Sequence, residues 1–399
     1  MDPKKIKICY LSSVLTVHDY RFLAELAKRN FDVYLVTYFD GEIPGDIRSL
    51  DKVTIIHRRP KYFHRIQKYL FAAKAADFRG ILKRIRPDIL QGGWVWKDGF
   101  LAALSGFHPF LLMPWGSDIL EHTRSTKRWP LSRLVWPVCR WIVKYTIKRA
   151  DRVVCDCEKV KDRVMELAGY PEDKVDIFRW GIDLDKFKLG DGVSEIRREA
   201  GWESNKVLIS TRLFYGEYEI ERLIEALPLI IESEPSVRVI LAGEGPEEDR
   251  LRRMVKDKNL EGFVRFVGKI PNPEMPDYLN AADIYVSSTG TDGTSISLLE
   301  AFACGLPAVA SEASGQVSGN NEWIQDGVNG FLALAKDTEK FSENTEKFAE
   351  KIITLLRNPD MRKKMGDRNL QIAKDRANWR KNFNELERTY IRLAEDYRE

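Results

Sequence analysis

From Ile6 to Leu11 the chain alternates with the two-residue period of a β-strand. Asp19 to Lys28 then reads as a helix, and Asp32 to Val36 returns to strand. Strand, helix, strand in that order predicts a doubly wound α/β domain. Further strands are expected at Asp88–Gln91, Phe110–Met113, Asp151–Cys157 and Val175–Phe178. Leu131 to Arg149 reads as an amphipathic helix with a break near Pro137. Lys186 to Val193, with Gly190 and Gly192, interrupts the pattern as a linker. The alternation then restarts, with strands at Lys206–Thr211, Val237–Ala242 and Val264–Ile270 and a helix from Ile220. Phe341 to Glu399 is helical and charge-rich, and no solenoid repeat or low-complexity tract is present.

The most informative stretch is Ile284 to Ser311. A strand through Ile284 and Val286 leads to a turn from Thr289 to Ser295. A helix at Ser297–Ala303 and a strand at Leu306–Ala310 follow. Ligands collect at such strand ends, and a helix N-terminus with free N–H groups suits an anion. Gly290 and Gly293 allow close approach of the backbone. Two carboxylates frame the turn, Asp292 within it and Glu300 on the helix. Ser297-Leu298-Leu299-Glu300 also has the spacing of a capping box, in which Glu300 would merely hold a backbone N–H. Elsewhere, Arg212 follows a predicted strand, and so does the turn Gly243-Glu244-Gly245-Pro246. In the first half, the turn Ser12–Tyr20 contains no glycine, so the dinucleotide fingerprint is absent; His18 within it is a candidate substrate contact or a structural residue. Trp115-Gly116-Ser117-Asp118 stands at a strand end, where Trp115 offers a stacking surface and Asp118 a ligand contact or a helix cap.

Residues 292–311, DGTSISLLEAFACGLPAVAS, followed by DGVNGFL at Asp326–Leu332, resemble the C-terminal signature of family-4 retaining glycosyltransferases, with Asp292 and Glu300 as its two acids. The resemblance covers nearly the whole chain and is specific in the C-terminal half. It implies a GT-B fold, two Rossmann-like domains facing across a cleft. Glu300 would then hold the ribose hydroxyls of a nucleotide-sugar donor, with Asp292 near its sugar. Arg212, the helix start at Thr294, Ser295, Ile296 and Ser297, and the turn at Gly243 would bind the donor, with backbone groups of Lys269 and Ile270 against the base. Relatives grip the diphosphate with a lysine several residues after the arginine; here Tyr218 holds that place beside Glu217, and its hydroxyl can donate one hydrogen bond without charge. Trp115 replaces a His near the donor sugar, and Trp180 an Asn.

Of the 399 residues 44% are hydrophobic and 31% charged, ordinary values for a globular protein of two or three domains. The net charge of +4, from 64 basic and 60 acidic residues, does not suggest nucleic acid. The N-terminus shows no signal-peptide core and no run is long enough to span a bilayer. Cys155 and Cys157 lack a second pair for zinc, and the five cysteines fit reduced, buried thiols of a cytoplasmic protein. Residues 124–149 combine Arg124, Lys127, Arg128, Arg140, Lys144 and Lys148 with Trp129, Val138, Trp141 and Tyr145; a second basic-aromatic cluster spans Lys61–Phe71. Such a pattern is first that of a packed helix with a solvated basic side, and the alternative is peripheral contact with an anionic membrane.

The expected organisation is an N-terminal acceptor-side domain at 1–187, a donor domain at 188–375 and a helical segment at 376–399, from Trp379 to Tyr397 a helix, packing back on the first. The expected reaction moves a sugar from a nucleotide-diphosphate donor to a hydroxyl of a glycan or lipid-linked acceptor. It needs neither metal nor further cofactor. An epimerase or hydrolase of the same fold and a binding-only relative are the alternatives.

Overall fold

The computed structural model describes residues 5–58, 71–120, 132–190, 194–289, 293–312, 319–334 and 341–398. The chain divides into two compact units, Met1–Phe178 with Phe383–Glu399, and Arg179–Asn382.

The first unit is built on a seven-stranded sheet of β1 (Ile6–Leu11), β2 (Phe31–Thr37), β3 (Val53–His57), β4 (Ile89–Gly93), β5 (Phe110–Met113), β6 (Arg152–Cys155) and β7 (Val175–Ile177). The order is β3-β2-β1-β4-β5-β6-β7 and every pairing is parallel. Parallel strands need crossovers that cover both faces, so alternate side chains are apolar on both. Cys9, Leu11, Val36, Leu90 and Leu112 enter one core. Ile8 and Tyr10 point to the other face, where Phe22, Phe178 and Phe383 meet edge to face. The helix Trp379–Asp396 closes this side: Phe383, Leu386 and Tyr390 are buried, Tyr390 donates to Gln91, and the Thr389 hydroxyl donates to Asp176 at 3.0 Å.

The second unit carries a six-stranded parallel sheet of β8 (Lys206–Ser210), β9 (Val237–Ala242), β10 (Val264–Gly268), β11 (Ile284–Ser287), β12 (Ala308–Glu312) and β13 (Gly330–Leu334), ordered β10-β9-β8-β11-β12-β13. Leu208, Leu241 and Val286 face one core; Ile209, Ile240 and Tyr285 face the other. In both units the chain leaves the first strand in one direction and returns on its other side. This makes a topological switch point at β1/β4 and at β8/β11.

Several expected strand and helix ends move by one to three residues, and one expected break is absent. The first helix begins at Val17, because Thr16 accepts from the Asp19 amide while Asp19 accepts from the Thr16 amide, a reciprocal cap. The strand expected at Leu306–Ala310 lies at Ala308–Glu312, because Gly305 ends the preceding helix at φ 74° and Leu306 N–H still donates to Ala301. Pro137 does not break its helix, which runs from Ser132 to Arg149. The residue is the sixth of the helix and lies on an exposed side, where water can serve the carbonyl that its missing N–H leaves free.

Candidate active site

In the second unit, the C-terminal ends of β10, β9, β8 and β11 are neighbours and gather most of the expected site residues. Arg212 follows β8 and is 8% exposed. One guanidinium nitrogen donates to Ser295 Oγ at 2.9 Å and to Ser297 Oγ at 3.1 Å, at the start of the helix Ile296–Ala303. The guanidinium lies 4.3 Å from the centroid of the Tyr218 ring. Tyr218 is therefore the platform on which Arg212 rests, a cation–π contact in a largely desolvated place. The short turn carrying it is anchored to the end of β11, where Ser288 Oγ donates to the Tyr218 carbonyl at 3.0 Å and Thr289 Oγ1 to the Glu217 carbonyl at 3.2 Å.

The Ser297–Glu300 capping box does not form. Ser295 is the N-cap residue, which puts Ser297 at the second helical position. Its hydroxyl accepts from Arg212 and, at 2.8 Å, from the buried Tyr285 phenol. Glu300 lies one turn along, on the same half-open side of the helix as Ser297, while Leu298, Leu299, Ala301 and Phe302 are buried. Thr294 and Ser295 are buried and Ile296 is half-buried. Asp292 lies outside the described residues.

Gly243 ends β9, and a Cβ there would fall 2.4 Å from the backbone oxygen of Arg212. Only glycine lets this turn pack against the arginine's own backbone. Ile270 is buried in the core beyond β10, and Lys269 is exposed, 3.6 Å from Glu244.

In the first unit, the helix start after β1 and the loops after β4 and β5 bring His18, Trp94, Trp96 and Trp115 together. His18 is half-buried at the start of a helix; burial, then the charge of Arg21, pushes its pKa down to about 3, so the ring is neutral. Asp118 does not face solvent. Its carboxylate is buried and accepts the amides of Val95 at 2.8 Å and Trp115 at 3.0 Å, tying two loops together. Asp98, 3% exposed, accepts the Ser13 amide at 3.0 Å and its hydroxyl at 2.5 Å. Burial pushes the Asp98 pKa up to about 6.

Comparison with known proteins follows the same division. The model for glycosyl transferases group 1 matches residues 193–371, and that for glycosyltransferase family 4 matches residues 15–186. The chain is a family-4 glycosyltransferase with a GT-B fold. It is 22% identical over 363 residues to the alpha-D-kanosaminyltransferase of Streptomyces kanamyceticus, spanning 86% of this chain and 90% of that enzyme. The N-acetyl-alpha-D-glucosaminyl L-malate synthase of Bacillus anthracis is 25% identical over 256 residues, 64% of this chain and 63% of the relative. The crystal structure of Anabaena HepE in complex with UDP superposes with a TM-score of 0.76 at 17% identity, covering 96% of this chain and 99% of that one.

In this glycosyltransferase the Arg212 guanidinium and the start of the helix Ile296–Ala303 put positive potential at one strand edge, an arrangement able to hold an anion. Reading the sequence found Arg212, Tyr218 and Ser297 but missed Tyr285, Ser13, Asp98, Trp94 and Trp96. A signal for Trp94 and Trp96 was available in the strand end at Gly92-Gly93 followed by two tryptophans in three residues. Nothing local distinguishes Tyr285 from any other apolar strand residue.

Proposed function

We propose that this glycosyltransferase moves a sugar, with retention at the anomeric carbon, from a nucleoside-diphosphate donor held by the second unit to a hydroxyl of a glycan or lipid-linked acceptor. The observation that carries the reading is the immobilised Arg212, set between the Tyr218 ring and the hydroxyls at a helix N-terminus. When the bond from the anomeric carbon to the diphosphate breaks, negative charge grows on the leaving oxygen. A pre-oriented cation and helix N–H groups stabilise that charge without reorganising. The acceptor hydroxyl attacks the same face, and its proton passes to the departing phosphate oxygen. Glu300, on the open side of the same helix, binds the ribose hydroxyls, and Asp292 orients the sugar. No step is assigned to a metal. The structurally similar HepE was crystallised with UDP, which supports a nucleotide ligand for this chain.

The test is a thermal-shift panel of UDP, GDP, ADP and their sugar conjugates, followed by NMR of the product's anomeric configuration. Ligand at a hundredfold over its dissociation constant stabilises by about 2.7 kcal/mol. Glu300→Ala should abolish both the shift and transfer while leaving the fold intact; full activity in that variant refutes its role. Tight nucleotide binding without turnover would instead favour the binding-only reading. Release of free or interconverted sugar would favour a hydrolase or epimerase.

We further propose that the helix Ser132–Arg149 rests on an anionic membrane surface. Val138 and Trp141 are 55% and 57% exposed, beside exposed Arg140, Lys144 and Lys148, while Val143 and Ile147 face the core. Residues 124–131 of the expected contact, and the cluster at 61–70, lie outside the described residues. Co-sedimentation with anionic vesicles that added salt abolishes supports this contact, and absence of binding at low salt sinks it.

A further inference from the structure

His18, at the start of the helix after β1, and Trp94, Trp96 and Trp115, from the loops after β4 and β5, lie at the C-terminal edge of adjacent strands, and each stays half-buried. The centroids of Trp94 and Trp96 are 5.9 Å apart, those of Trp94 and Trp115 6.2 Å, and those of His18 and Trp115 5.9 Å. The rings are inclined by 53°, 69° and 89°, so none is stacked flat on another.

A patch of aromatic core would account for the contacts but not for what the backbone does to make them. Trp94 has φ 41°, a left-handed conformation that costs a bulky residue free energy and persists only where its surroundings enforce it. Here Lys97 and Gly99 amides donate to the Trp94 carbonyl, and Asp118 holds the adjoining Val95 amide together with that of Trp115. Gly93 supplies the space: a Cβ there would lie 2.8 Å from Trp115 Nε1. The Trp94 ring N–H is shielded from solvent and has no acceptor among the described residues.

We infer that these rings form a saccharide-binding wall, and that the acceptor presents a pyranose ring to it. The apolar C–H face of a sugar packs against indole. The rings themselves carry no charge, so the surface they offer suits the C–H face of a glycosyl unit. This inference rests on the proposed transfer reaction but concerns direct binding, which donor chemistry does not control.

The full-length protein is titrated with a panel of methyl glycosides and short oligosaccharides, read by tryptophan fluorescence without donor; UDP-induced thermal shift is measured in parallel. At least one glycoside should quench or shift the emission saturably. Trp115→Ala should weaken that binding about tenfold or more, and Trp115→Phe should restore most of it. Trp94→Ala, which removes a ring from the wall, should weaken it several-fold. The nucleotide-induced shift should be unchanged in all three, which also verifies that they are folded. Saccharide binding in a protein that binds no nucleotide would keep this inference and sink the proposed donor site. Saturable binding of no glycoside, binding unaffected by Trp115→Ala, or loss of nucleotide binding in these variants would overturn the inference.

Discussion

Asp98 offers a test of the energetics beneath the first unit's strand edge. Its carboxylate is buried, receives the Ser13 amide and hydroxyl, and faces Lys97 and the carboxylate of Asp19. Burial raises its pKa from the usual 3.8 to about 6, and Asp19 adds to the rise. The folded state then binds a proton more tightly than the unfolded state. The stabilisation from this group is thus complete below pH 3.8 and is lost as pH rises through about 6. The two pKa values put the total loss at about 3 kcal/mol, of which roughly 1 kcal/mol has gone by pH 4.5. Asp98→Asn removes the titration while keeping an acceptor for the Ser13 amide and a donor for its hydroxyl. Comparing the variant with the parent cancels the other titrating groups, except the mutual repulsion with Asp19. Scanning calorimetry between pH 4.5 and 7.5 should show the variant's Tm gaining on the parent's by roughly 4–8 °C across the range. A Tm difference that is flat with pH would refute the assignment of a displaced pKa to Asp98.

Arg212→Lys keeps the charge but loses the planar stack on Tyr218 and the shared contact with Ser295 and Ser297; steady-state kcat/KM should fall about a hundredfold. A variant within threefold of the parent would show that charge alone suffices. Gly243→Ala forces a Cβ against the Arg212 carbonyl and should cost about 1–3 kcal/mol in denaturant unfolding, together with weaker nucleotide binding. Unchanged stability and binding would mean that the turn can move away. Asp118→Ala leaves the buried Val95 amide and the partly buried Trp115 amide without their acceptor and should destabilise by about 2 kcal/mol, visible as a lower urea midpoint with unchanged slope.

What was legible in the sequence is what depends on neighbours a few residues away. Period-two alternation placed β1, β5 and β9 with the bounds observed, and the restart after the linker announced a second α/β unit. The signature from Asp292 to Ser311 pointed to the family because its glycines, helix start and acids are local requirements of one strand–turn–helix unit. β3 and β13 escaped, being only partly buried edge strands with weak alternation. The tertiary structure decided the partners of the polar groups. Ser297 reads as a cap by spacing, yet it serves Arg212, 85 residues earlier, and the buried Tyr285 phenol. Tyr218 reads as a hydroxyl donor, yet its ring carries a guanidinium, because the turn that holds it is pinned to β11 about 70 residues further on. Asp118 reads as a cap, yet it joins two loops, and with Gly93 and a left-handed Trp94 it gathers rings from three strand ends. Periodicity encodes which face a residue takes; it cannot encode which distant strand end lies beside it, and in a parallel sheet that adjacency is set by strand order.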